Sequence, residues 1–138
     1  IGAELRIALK RADNLLWLGP ENEARRGNGV TADVVQAAVK AWSPMVVTAF
    51  PSSYFPKKVF KDRPGVGWML YLPMALTTEQ VPEARALVPV VLGGRVGTII
   101  VSVIDEQFSD DNPEHVKIAN AIEIRLVDQD LLPRYADL

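Results

Sequence analysis

Two β-branched runs meeting across a pair of glycines constrain this chain's fold more than any other feature. Residues 87–92 and 96–104 are rich in Val, Ile and Leu, and Gly93-Gly94 lies between them. Adjacent glycines accept positive φ at both centres of a two-residue turn, which matches the twist of hairpin strands. An antiparallel pair therefore sits in the sheet, and other elements must cover its apolar face. Two more β-prone runs, residues 45–50 and 67–72, are closed by Pro51 and Pro73. The expected class is α+β: about four mostly antiparallel strands with helices packed on one side.

Three segments carry helical spacing. In residues 3–18, Leu5, Leu9, Ala12, Leu15 and Leu16 recur at intervals of three and four, ahead of a Gly19-Pro20 stop, which predicts a helix. Thr31 as N-cap and Asp33 in the first turn predict a second, with Val35, Ala38, Val39 and Trp42 on one face and Ser43-Pro44 ending it. Asn112 and Pro113 open a third, carried by His115, Ala119, Ile122 and Leu126 and closed by Leu131-Leu132-Pro133. Residues 21–29 read as loop, and Pro82 limits residues 77–84 to a turn or two.

The chain's 138 residues suit one domain, with 49% apolar and 23% charged residues, the balance of a globular protein. A net charge of −2 gives no global attraction to nucleic acid or anionic membrane. The absence of cysteine excludes disulfides and thiolate metal sites and fits a reducing compartment. Charges at Glu4, Arg6, Lys10, Arg11 and Asp13 argue against a signal peptide in the first eighteen residues. Pro89 and Gly93-Gly94-Arg95 break the longest apolar stretch, so it is a hairpin and not a membrane span. The first residue is Ile, so a native N-terminal portion is expected to be missing.

Chemistry concentrates in one place. Asp105, Glu106, Asp110, Asp111 and Glu114 put five carboxylates within ten residues, and the chain's single histidine, His115, follows them. The stretch lacks the alternating ligands and central glycine of a calcium loop, so no metal or cofactor is expected. Asp110, Asp111 and Glu114 favour the positive end of the following helix, which alone accounts for part of the cluster. The sharper reading is an electrostatic docking surface for a basic partner, with Phe108 as an apolar anchor. No serine sits in a GxSxG setting, and Glu114 and Lys117 miss the spacing of a nuclease ExK element by one residue. Two rivals stand beside the docking surface: a small enzyme built from Asp105, His115 and Arg95, and a structural or adaptor module.

Lys57, Lys58, Lys61 and Arg63, interleaved with Tyr54, Phe55 and Phe60, have the composition of a single-strand binder. They are equally a solvated loop on a net-negative protein, and nucleic acid is not the expected partner. Gly65 and Gly67 lack dinucleotide-binding spacing. Trp17, Trp42 and Trp68 read as core or interface anchors.

The order of motifs in the C-terminal half resembles a known family. Gly67-Trp68-Met69-Leu70-Tyr71-Leu72-Pro73 precedes the hairpin, whose second strand carries Arg95-Val96-Gly97-Thr98-Ile99-Ile100-Val101. Phe108, Asn112-Pro113-Glu114-His115 and a helix ending in Asp130-Leu131-Leu132-Pro133 follow. The series, over residues 32–133, resembles the immunity protein 52 family of bacterial polymorphic toxin systems. That resemblance implies a non-enzymatic antitoxin acting in the cytoplasm against a cognate effector, often one delivered by type VI secretion. It further implies a nuclease toxin with a restriction-endonuclease-like domain. No catalytic residue is carried over, and the contact residues expected are Asp105, Glu106, Phe108, Asp110, Asp111 and Glu114. The resemblance leaves the oligomeric state open.

Overall fold

The computed structural model describes residues 5–10, 16–17, 35–37, 40 and 46–137. Its sheet is organised by the glycine hairpin. Strands β5 (Ala86–Leu92) and β6 (Arg95–Val101) pair antiparallel from Leu92↔Arg95 to Ala86↔Val101. Gly93 and Gly94 have φ of 56° and 81°, the positive pair that a two-residue turn requires. Strand β4 (Met69–Leu72) lies along the other side of β6, and β3 (Val46–Pro51) pairs with β4.

Among the described residues the sheet has six strands, two more than expected. β1 (Leu5–Lys10) pairs with β3 over all six of its residues, and β2 (Leu16–Trp17) pairs with β1. The order is β2-β1-β3-β4-β6-β5, and each neighbouring pair is antiparallel. The helix expected at residues 3–18 is thus corrected to two strands. Leu5, Ile7 and Leu9 alternate with Arg6, Ala8 and Lys10, so the segment also carries a period of two. Pairing with β3 selects that period over the helical one.

β6 ends three residues before the expected limit at Ile104. The Ser102 amide turns to the Trp68 carbonyl (2.9 Å), and its hydroxyl donates to the Gly67 carbonyl (2.6 Å). Gly67 has φ 52°, and a Cβ there would lie 2.2 Å from Phe50 Cβ, so only glycine fits. A 3-10 helix, Ser52–Lys57, and a loop occupy the long connection from β3 to β4.

Helix α1 (Pro113–Asp128) starts as its residues dictate. The Asn112 side chain accepts from the Glu114 amide at 3.0 Å, and Pro113 takes the first turn, where no amide is needed. Its inner face buries His115, Ala119, Ile122, Glu123 and Leu126. Arg125 holds Glu83 at 2.6 Å and Gln129 reaches the Gln80 carbonyl at 2.7 Å, which clasps α1 to the segment before β5. The core joins Met69, Leu70, Ile99 and Ile100 of the sheet to Ile122, Leu126 and Leu132. Trp68, expected as an anchor, is buried; the side chains of Trp17 and Trp42 lie outside the described residues. Residues 35–37 and 40 are helical, and the remainder of the expected 31–42 helix also lies outside them.

α1 ends with two bonds, Leu131 N to Leu126 O (2.8 Å) and Asp130 N to Val127 O (2.9 Å). They force Asp130 to φ 58°, a left-handed position that glycine occupies without strain. Asp130→Gly is expected to raise stability by about 0.5–1 kcal/mol, read as a higher urea midpoint at unchanged m-value.

Candidate functional site

The loop from β6 to α1 is fixed from below at each end. After Ser102, the Trp68 indole N–H donates to the Val103 carbonyl at 3.0 Å. Ile104, Asp105 and Glu106 then stand in solvent. Phe108 turns back into the core at 2% exposure, edge-on to Tyr54 (centroids 5.5 Å apart) and stacked on His115 (5.7 Å). It therefore anchors the loop to its own fold and has no free face to offer a partner.

His115 is 6% exposed, on the first turn of α1. The Ser109 amide donates to its Nδ1 at 3.0 Å. The neutral ring then carries its proton on Nε2, which lies 3.3 Å from Glu106 Oε2.

The five carboxylates divide. Asp105, Glu106 and Glu114 line one groove of about 590 Å³ with Arg85 and His115, over apolar Val103, Ile104 and Ile118. Asp110 and Asp111 face a second groove of about 600 Å³, alongside Lys57, Lys117 and Ile124. Asp110 is internally engaged: it accepts from the Ser53 hydroxyl (2.7 Å) and the Lys57 ammonium (2.9 Å). Burial pushes its carboxyl up, but those two donors outweigh burial and hold it below the usual carboxylate range. Of the six expected contact residues, Asp105, Glu106 and Glu114 share a groove, with Glu106 also touching His115; Asp111 is exposed nearby, Asp110 is paired, and Phe108 is enclosed.

The rival constellation of Asp105, His115 and Arg95 does not assemble. Arg95 sits at the hairpin tip opposite Leu92, while Asp105 follows the other end of β6. Seven strand residues separate those ends, roughly 20 Å. The cation in the groove is Arg85, which sequence reasoning missed. Among the described residues, no three His, Asp or Glu side chains converge closely enough to hold a metal ion.

Beneath the loop lies a buried polar network that sequence reasoning also missed. Glu123, 1% exposed, accepts from the Tyr54 hydroxyl (2.5 Å) and from the Val59 (2.8 Å) and Val66 (2.9 Å) amides. Burial raises its carboxyl above the ordinary range, against the pull of those donors and of Lys58. Burial and the neighbouring carboxylate likewise push the Tyr54 phenol up. The Asn120 amide donates to the Tyr54 hydroxyl at 3.0 Å and the Lys57 carbonyl at 3.2 Å. A signal existed: Glu123 falls four residues after Ala119 and three before Leu126, on the apolar face of α1.

The same network redefines the basic loop. Lys58 is 6% exposed, and its ammonium donates to the carbonyls of Phe60 (2.9 Å), Lys61 (3.2 Å) and Arg63 (2.8 Å). Arg63 donates to the Leu132 carbonyl, and Lys57 pairs with Asp110. Tyr54 is fully buried. Three of the four cations thus hold the fold together and do not form an open stacking platform.

Comparison with protein families gives one match: the model for immunity protein 52 fits residues 18–134. The chain belongs to the immunity protein 52 family. A search of curated proteins found no match. The family match begins fourteen residues before the expected start at residue 32 and covers β3 to β6, the acidic loop and α1. This immunity protein's β1 and β2 precede the matched span. Among the described residues, no helix is long and apolar enough to cross a membrane.

Proposed function

We propose that this immunity protein neutralises a cognate antibacterial effector by protein–protein inhibition, docking its acidic β6–α1 loop onto a basic surface of a nuclease toxin. The observation that carries the reading is the shared groove. Asp105, Glu106 and Glu114 line it above apolar Ile104 and Ile118, in a protein of the immunity class. A nuclease cleft is basic because it holds a polyanion. Carboxylates on a preorganised loop compete with phosphate for that rim, and the apolar floor supplies contact area. The toxin is of restriction-endonuclease-like type, delivered by type VI secretion, and inhibition takes place in the cytoplasm. Asp111 belongs to the docking rim, Asp110 orients the loop through Lys57, and Phe108 supports it from inside.

The test uses the triple variant Asp105→Lys, Glu106→Lys, Glu114→Lys against the protein encoded by the adjacent gene. Association is expected to slow by about 10–100-fold at low ionic strength, and added salt should speed the variant while slowing the native protein. Equal association rates and equal salt dependence in both would sink the proposal.

A further inference from the structure

We propose that His115 is a positioning residue of the acidic loop: as a neutral ring it holds the Ser109 amide, and protonation frees that amide. Its use in docking rests on the reading above; the lock itself does not. The geometry defines one tautomer. With the Ser109 amide donating to Nδ1 at 3.0 Å, that nitrogen must hold a lone pair. A proton added to the neutral ring goes to Nδ1 and sets donor against donor. The imidazolium cannot keep the Ser109 bond in this position.

The Ser109 amide has no second acceptor among the described residues, although the Ser109 carbonyl and hydroxyl accept from the Asn112 (3.1 Å) and Asp111 (3.3 Å) amides and Asp110 is held by Ser53 and Lys57. Phe108 precedes Ser109 and stacks on the same ring, with centroids 5.7 Å apart and planes inclined by 28°. His115 therefore organises two consecutive residues, midway between Glu106 and Asp111. Charged groups stand around it. Glu106, on the loop, lies 3.3 Å from Nε2, and Asp105 and Glu114 line the same groove. Arg85, from the segment before β5, is the cation of that groove. Beyond Phe108 and Tyr54, Asp110 is already neutralised by Lys57. Protonation thus exchanges a loop-closing bond for a stronger Glu106 contact, which draws that carboxylate inward from the groove wall. Ser109 loses its fastening while Glu106 becomes less available to a partner.

Two substitutions separate the nitrogens. His115→Asn places a non-titrating oxygen where Nδ1 stands, and His115→Gln reaches only toward Nε2. Amide exchange and nitrogen-15 spectra of the free chain at pH 7.5 and 5.5 read the lock without any toxin. The native chain is expected to show the Nε2–H tautomer at pH 7.5. Its Ser109 protection factor, corrected for intrinsic exchange, should fall about tenfold once the ring protonates. Asn should hold protection at both pH values, and Gln should lack it at both. Undiminished Ser109 protection beside a protonated ring overturns the lock, as does native-like protection in the Gln variant. A lock that behaves as expected in a chain whose triple Lys variant still binds normally would instead locate the failure in the docking reading.

Discussion

Glu123→Ala is expected to destabilise the fold by about 3–5 kcal/mol. The carboxylate is the shared acceptor for the buried Tyr54 hydroxyl and Val66 amide and for the part-buried Val59 amide. Alanine leaves three donors unpaired and a void among them. Glu123→Gln is the sharper control, expected to cost about 1–3 kcal/mol. Oε2 serves two donors and Oε1 one, so the amide nitrogen must confront at least one N–H or O–H. The pH dependence follows from the direction of the Glu123 shift. Its folded value is raised above the unfolded one, near the ordinary 4.5. Ionisation therefore costs stability: the penalty is absent below the unfolded value and grows as pH rises through the folded one. The native protein's advantage over the Gln variant should shrink with rising pH in urea melts. An advantage that widens would reverse the assignment.

Phe108→Ala should cost about 3–5 kcal/mol and also release the acidic loop. The ring is enclosed at 2% exposure between Tyr54 and His115, so its removal opens a cavity that backbone on either side cannot collapse to fill. Denaturant unfolding reads the stability. Proteolysis within residues 104–111, under conditions where the rest of the variant remains folded, reads the loop. A loss below 1 kcal/mol would mean that the ring is an adornment and the loop is held by its polar bonds alone. Asp105→Ala, three residues away in solvent, should change stability by less than about 0.5 kcal/mol.

What was legible in the residues was what local rules determine. The Gly93-Gly94 turn, the Asn112 cap with Pro113, and the strands near residues 45–50 and 67–72 are each specified by neighbours in sequence. Residues 3–18 were misread because Leu5 and Leu9 satisfy both periods, and only pairing with β3 decides between them. The candidate site was legible as charge but not as geometry. Nothing local to Asp110 reveals Lys57, 53 residues earlier, and nothing around Phe108 shows that it faces inward. Glu123 was hidden for a related reason. Its acceptors' partners come from the 54–66 segment, and a charged residue on an apolar helix face is disfavoured until those partners arrive.

Phe108, His115 and Asp110 hold the loop from within, while Asp105, Asp111 and Glu114 stand outside, exposed. Those outer side chains make no bond on which the core depends. They can be exchanged for other residues at a cost of a few tenths of a kcal/mol, whereas the inner three cannot. A lineage facing a changing adversary thus has a stretch of sequence that can drift quickly without endangering folding. New recognition specificities can accumulate on the rim of this loop while its foundations stay as they are.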